Sequence, residues 1–493
     1  MKSKFILFTL LLCQLVCSQN TVSYNEPYRP QYHFTPPTKW MNDPNGLVYL
    51  NGKYHMFYQY YPDDIVWGPM HWGHSESTDL LHWKQLPIAL YPDKLGWIFS
   101  GSAVIDKDNT AGFGKNAMIT IFTYHNDEIW KAGKKNTESQ GIAYSLDEGK
   151  TWTKYQNNPV LNNSGEQDFR DPKVFWHQQT SRWIMALAVG DKIKLFSSPN
   201  LKTWQEESVF KPTEKSSELG VWECPDLFPM QTTSGEAKWI MIVNHGDKGP
   251  NGGSCTRYFI GDFDGKTFIP TQKAKWLDYG TDYYAAVTFS NTPNDKKIIL
   301  GWMSNWQYAT KVPTEIWRGA MTLPRELELV NDKNEYHLNQ KMIPQFTGLT
   351  KPLFSQNQVA TPFEKKEIDL SQSEVMFSFS QPTDAIISLS NTKGEVFTLT
   401  IVGNIVVTDR SNSGQTNFQE SFAAKPQVMP IQDKITSVQL LLDKSSVEIL
   451  LNDGKYSMTN LFFPNESYSV LKIITKDQIP LQQLKINAVS RIW

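Results

Sequence analysis

The sequence predicts an all-β protein, a five-bladed β-propeller followed by a C-terminal β-sandwich. Three observations predict it. Helical periodicity is scarce, and short apolar strands bounded by turn residues dominate. A turn motif with an Asp or Asn four or five residues before an aromatic recurs through the first two-thirds of the chain. A second set of strand starts, out of phase with the first, occurs five times at intervals of roughly 50 to 70 residues, slightly longer than a four-stranded blade usually needs.

Taken from the N-terminus, residues 1–18 read as a signal peptide. Lys2 and Lys4 precede the apolar run 5–16, and Val16-Cys17-Ser18 suits cleavage after Ser18. The run is shorter than the roughly 20 residues a membrane span needs, and no later segment qualifies. The expected location is extracellular or periplasmic, with a lipid on Cys17 as the lesser alternative. Cleavage would remove Cys13 and Cys17 and leave Cys224 and Cys255, which could pair or stay as two buried thiols. Two Asn-x-Ser sequons, at Asn162 and Asn465, matter only in a eukaryotic secretory pathway.

The propeller is expected over 30–335. Residues 47–50 and 54–58 flank Asn51-Gly52, a hairpin turn signal, and 183–189 and 193–196 flank Gly190-Asp191. Further apolar strands are 239–243 and 298–302. Copies of the turn motif begin at Ser77, Ser145, Ser198 and, more loosely, Asp262, and end on Trp83, Trp152, Trp204 and Phe268. The side-chain oxygen suits a tight turn and the ring suits burial between sheets. The five strand starts follow Asp43-Pro44, Ser100-Gly101, Asp171-Pro172 and Glu223-Cys224-Pro225, and lie near Asp282-Tyr283. Residues 336–360 read as a polar linker. Beyond it, 361–493 holds evenly spaced alternating strands such as 375–379, 385–389, 397–401, 438–442 and 447–451, the pattern of a sandwich.

Composition narrows the function. The formal net charge is −2, with no Lys/Arg run, which argues against a nucleic-acid partner. Aromatics make up 13% of the chain, including 17 Trp, a number that either a core or a sugar-binding surface would explain. There is no nucleophile elbow, no phosphate loop and no zinc helix, and the nine His do not fall at ligand spacings. His71 and His74 fit a loop or packing role better than a metal pair. No cofactor or metal is implied, and oligomeric state is not legible.

Chemistry is carried by acids. Three strand starts place one in a similar frame: Asn42-Asp43-Pro44, Arg170-Asp171-Pro172 and Trp222-Glu223-Cys224-Pro225-Asp226. Equivalent positions of different blades converge at one end of a propeller channel, so the three acids should share a pocket. Glycoside hydrolysis needs such a set, one carboxylate to attack the anomeric carbon and a second to protonate the leaving oxygen. Asp43 has amide neighbours that would keep it ionised. Glu223, beside Trp222 and near Asp226, is suited to hold a proton. Singly, an Asp-Pro is most often a turn and Arg170-Asp171 a structural ion pair; the repeated frame is what singles them out.

The segment Trp40-Met41-Asn42-Asp43-Pro44-Asn45-Gly46 resembles the signature of glycoside hydrolase family 32, the invertases and fructanases. So do Phe99-Ser100-Gly101-Ser102-Ala103-Val104, Phe169-Arg170-Asp171-Pro172-Lys173-Val174 and Trp222-Glu223-Cys224-Pro225-Asp226-Leu227-Phe228, in the family's order. The resemblance continues through Asp278 to Ala285 and Gly301 to Trp306, with a last echo at Ser446-Val447-Glu448 to Asn452-Asp453-Gly454. It implies a propeller followed by a sandwich, and retention of configuration. Asp43 would be the nucleophile, Glu223 the acid/base, and Asp171 a transition-state stabiliser that holds fructose hydroxyls with Arg170. Asn42, Gln59, Trp67, Ser102 and Trp306 would line the fructosyl subsite; the bland alternatives are a strand amide for Gln59, a turn hydroxyl for Ser102 and core packing for Trp67 and Trp306. The stretch 301–326 is more similar to exo-acting inulinases and levanases than to plant or yeast invertases. The expected function is therefore release of terminal β-fructosyl units from levan or inulin, and from sucrose. An invertase or an endo-levanase is the alternative within the family. A catalytically inactive fructan-binding protein is the alternative outside it, which the complete acid set disfavours.

Overall fold

The computed structural model describes residues 23–212 and 220–493. The leader expected at 1–18, with Cys13 and Cys17, lies outside the described residues.

Five sheets, each built on four antiparallel strands, account for the first two-thirds of the chain. Their innermost strands are Lys39–Leu50, Trp97–Asp106, Phe169–His177, Trp222–Gln231 and Tyr284–Thr288, of blades I to V. Each packs on the next, and Tyr284–Thr288 packs on Lys39–Leu50, so the ring closes. Two links fasten the closure: Trp317–Arg318 pairs in parallel with Lys39 and Trp40, and Ser290 N donates to Leu47 O at 2.9 Å.

Local chemistry accounts for the blades. Asn51 and Gly52, at φ 48° and 88°, make the two-residue turn whose twist suits a hairpin. The recurring motif is the turn between third and fourth strands. In blade I, Asp79 Oδ1 accepts from the N–H groups of Leu81 and His82 at 2.9 and 2.8 Å. In blade III, Asn200 Oδ1 accepts from Lys202 and Thr203, both at 3.0 Å. Gly46 has φ 53°, and a Cβ there would sit 2.7 Å from the Phe57 ring and 3.0 Å from Trp72; the innermost strand of blade I can lie against the rings of its own second and third strands only with hydrogen at this position.

The remainder is a sandwich of two six-stranded sheets. The linker expected at 336–360 is corrected. Arg325–Asp332 and Glu335–Met342 are the outer hairpin of blade V, and Thr350–Val359 is the edge strand of a sandwich sheet beside Leu481–Val489. Only a short segment with a 3-10 turn, Pro344–Leu349, lies between. The misreading has a physical cause: outermost and edge strands present much of their surface to water, so their polar composition resembles that of a loop.

Buried charges hold the two domains together. The Arg325 side chain is fully buried and donates to Glu448 Oε2 from Nε at 3.0 Å and to Ser457 Oγ at 2.7 Å. His33, on the segment that crosses the interface, bridges Asp443 Oδ2 and Glu448 Oε1, both at 2.8 Å. Arg410 of the sandwich pairs with Asp282 of the propeller at 2.7 Å. Such pairs fix register more than they add stability, because each charge must first be desolvated.

Candidate active site

Each innermost strand has an irregular register at the end where the strands begin. Blades III, IV and V share one geometry, with two residues opposite one, between Arg170 and Lys173, Glu223 and Asp226, and Tyr284 and Val287. The residue that follows the first of each pair is left-handed: Asp171 at φ 64°, Cys224 at 42° and Ala285 at 52°. A bulge of this kind re-aims side chains, here toward the channel. Arg170, Glu223 and Tyr284 therefore occupy one layer, and Asp171, Cys224 and Ala285 the next.

This corrects the frame expected from sequence. The acids share one pocket but not one position: the counterpart of Glu223 in blade III is Arg170, and the counterpart of Asp171 in blade IV is Cys224. Composition alone does not show this, because the Asp-Pro and Cys-Pro steps align only once the strand pairing is known.

The pocket at this end encloses about 440 Å³ and is lined by Asn42, Asp43, Gln59, Trp67, Arg170, Asp171, Glu223 and Trp306 among others. At its floor Asp43 Oδ2 accepts from Ser100 Oγ at 2.7 Å, and Oδ1 from Asn42 Nδ2 at 3.0 Å. Asn42 is itself fixed by Trp40 Nε1 at 2.8 Å. Burial raises the Asp43 carboxyl above the usual range, and the Ser100 and Asn42 hydrogen bonds offset only part of that. Asp171 is raised by burial too, against the pull of Arg170, and its Oδ2 accepts from Cys224 N at 2.9 Å. The Cys224 thiol stands between the two acids, 3.5 Å from Asp43 Oδ2 and 3.7 Å from Asp171 Oδ2. Burial raises its pKa well above the normal value, so it faces both carboxyls as a neutral S–H. Cys224 and Cys255 are both free and buried.

Glu223 sits higher on the wall, its side chain 21% exposed. Its surroundings differ from those its sequence neighbours suggest. Trp222 is buried between blades against Phe210 and Phe259, and Asp226 lies deeper in the channel, held by Lys173 Nζ at 3.0 Å. The groups that touch Glu223 are Arg170, from Nε at 3.2 Å and Nη2 at 3.0 Å, and the Tyr284 hydroxyl, which donates to Oε2. Arg170 is fixed from behind by Glu138 at 3.1 Å and Asp168 at 2.7 Å. Burial works against ionisation of Glu138, but Arg170, His125 and the Phe169 N–H together outweigh it and lower the pKa.

Gln59 lines the pocket opposite the blade I bulge and donates to Ile98 O at 3.0 Å. Trp67 is 40% exposed at the rim, and Trp306 stacks on Trp40 at 5.9 Å. Ser102 is not at the pocket. Its hydroxyl donates to Pro172 O at 2.8 Å and accepts from Val174 N at 2.9 Å, which stitches blade II to blade III. Two residues earlier in the same motif, Ser100 takes the place expected for it. Ser100, Glu138, Asp168 and Tyr284 were not singled out from sequence. Only the blade register, not residue type, marks them. Among the described residues no group of three or more His, Cys, Asp or Glu side chains is arranged to hold a metal ion. Among the same residues, no helix is long and apolar enough to cross a membrane.

Comparison with known proteins agrees with this architecture. Residues 33–341 match the glycosyl hydrolases family 32 N-terminal domain, and 348–488 the family 32 C-terminal domain. The chain is 42% identical to a levanase of Bacillus subtilis over 99% of its length and 74% of that protein's. It is 35% identical to an extracellular exo-inulinase of Aspergillus niger over 99% of both chains. In structure it is similar to the exo-inulinase of Aspergillus awamori, with a TM-score of 0.86 at 32% identity, over 95% of this chain and all of the other.

Proposed function

The chain belongs to glycoside hydrolase family 32, and from that membership and its pocket we infer that it releases terminal β-fructosyl units from fructans by double displacement. The observation that carries the residue assignment is the convergence of Asp43, Asp171 and Glu223 on one pocket, two at the floor and one on the wall.

Asp43 is the nucleophile in this reading. Both of its oxygens accept hydrogen bonds, from Ser100 and Asn42, which aim the carboxylate and favour its ionised form against burial. Its attack on the anomeric carbon forms a covalent fructosyl-enzyme while the bond to the leaving oxygen breaks. Glu223, nearer the opening, gives its proton to that oxygen. It then takes a proton from the water that releases fructose. Arg170 and Tyr284 orient Glu223, and Asp171 accepts from fructose hydroxyls. Asn42, Gln59, Trp67 and Trp306 enclose the ring.

The relatives named levanase and exo-inulinase support levan and inulin as substrates, and sucrose presents the same terminal unit. Export through the apolar leader at 1–18 agrees with relatives named as extracellular.

A product time course tests the reading. Purified protein is incubated with levan, inulin and sucrose separately, and early samples are chromatographed. Fructose as the sole early product from a polymer is expected, and the faster polymer identifies the preferred linkage. A ladder of oligosaccharides would replace exo with endo action. Sucrose cleavage with untouched polymers would make it an invertase. No product from any of them would favour a binding protein.

A further inference from the structure

In every blade the connection between second and third strands lies at the pocket end. Blade III uses the two residues Gly190 and Asp191. Three longer connections each bring one tryptophan to the pocket: Trp67 from 62–70 in blade I, Trp130 from 126–137 in blade II and Trp306 from 303–324 in blade V. The connection in blade IV, 246–254, has none. Trp67 and Trp306 belong to the fructosyl subsite as read above. Trp130 has no role there.

Trp130 sits on the helix Asp127–Lys131 and is 60% exposed. Its segment is nonetheless well fixed. Asn126 Oδ1 caps Ile129 N at 3.0 Å, Asn126 N donates to Thr137 O at 2.8 Å across the base, and Lys131 pairs with Asp127 at 2.7 Å. The indole is thus held in place with its surface open at the rim of the pocket that it lines. The ring also ends a row. Phe99, which precedes the hydroxyl that holds Asp43, stacks on His125 at 4.3 Å and 7°, and His125 meets Trp130 at 6.3 Å. The wall thus runs outward from the nucleophile to Trp130, and Lys134, Lys135 and Thr137 add donors beside it.

We propose that Trp130 and the following turn form a subsite for the fructan chain on the leaving-group side of the cleaved bond. The terminal ring occupies the floor, so what passes along the outer wall is the rest of the substrate. A furanose ring has an apolar C–H face for the indole and hydroxyls for the lysine donors. This inference rests on the fructan reading of the pocket.

The test is chain-length kinetics. Oligofructosides of two to six units, of the linkage the unaltered enzyme cleaves, are compared with Trp130→Ala and Trp130→Phe. In the alanine variant kcat/KM for the longest oligomers should fall about tenfold relative to the two-unit substrate, and phenylalanine should restore most of it. An equal fall at every length, or no change in the ratio, would overturn the subsite. Calorimetry on Asp43→Asn, with and without Trp130→Ala, reads the same subsite without turnover. The long oligomer should bind about tenfold more weakly to the double variant, and equal binding would overturn it. Failure of the fructan reading looks different: the unaltered protein would release no fructose from any oligomer.

Discussion

Arg170 and Glu223 stand at the same position of neighbouring blades, and the guanidinium meets one carboxylate oxygen twice, through Nε at 3.2 Å and Nη2 at 3.0 Å. Tyr284, one blade further, holds the other oxygen. Glu223 is thus gripped from both sides. Tyr284→Phe should lower kcat about tenfold with little change in KM, because it frees a proton-transfer group without opening the floor. The loss should be larger on natural fructosides than on an aryl fructoside. Equal losses on both would show that Tyr284 supports the fold and not the proton transfer.

Glu223→Gln should slow poor leaving groups most, since these need protonation most. Steady-state rates on a fructan and on an aryl β-fructofuranoside check this. A uniform loss across leaving groups would remove Glu223 from the acid role.

Asp43→Asn should lower kcat by a factor on the order of 10³ or more while sugar binding and the unfolding temperature hold. Retention of more than a few per cent of activity in a preparation free of unaltered enzyme would rule out Asp43 as nucleophile.

Ser100 and Ser102 separate function from framework. Burial already raises the Asp43 carboxyl, and turnover needs it ionised, so activity is lost as pH falls through that raised value. Ser100→Ala removes a donor that favours the ionised form, so the acid limb of kcat/KM should move to higher pH. Ser102→Ala should leave that limb in place and lower stability by about 2 kcal/mol, because it strands two buried backbone groups. A pH–rate profile and a denaturant titration of each variant decide between them.

The domain interface should respond to pH at both ends. Burial alone would keep His33 neutral, but Asp443 and Glu448 outweigh it and raise its pKa to about 9. A raised folded value stabilises fully below the unfolded value near 6.5, and that stabilisation is lost as pH rises through about 9. Glu448 is lowered to about 2, Arg325 and His33 overcoming its burial, so its contribution holds above about 4.5 and is lost as pH falls toward 2. Thermal unfolding should therefore show greatest stability between about pH 4.5 and 6.5 from this network. His33→Gln should flatten the alkaline side, a change worth about 3 kcal/mol at most. An unchanged alkaline slope would remove His33 as the cause.

Some of this was legible in the chain before any folding. Period-two strands, the Asn51-Gly52 turn and the Asp79 and Asn200 motifs encode local conformation, so they specify blades wherever those blades end up. The motifs around Asp43, Asp171 and Glu223 marked the three acids because their residue types and repeated local frame are those that the proposed chemistry requires. What the sequence could not determine is which residues share a layer of the channel. That depends on bulges in all five innermost strands, each of which shifts register by one residue, and a single-residue shift exchanges the side chains that face the channel for those that do not. Hence Ser100, not Ser102, meets Asp43; Arg170 and Tyr284, not Trp222 and Asp226, surround Glu223; and Trp130, far in sequence from Asp43, Asp171 and Glu223, stands at the outer end of the wall that begins beside Asp43.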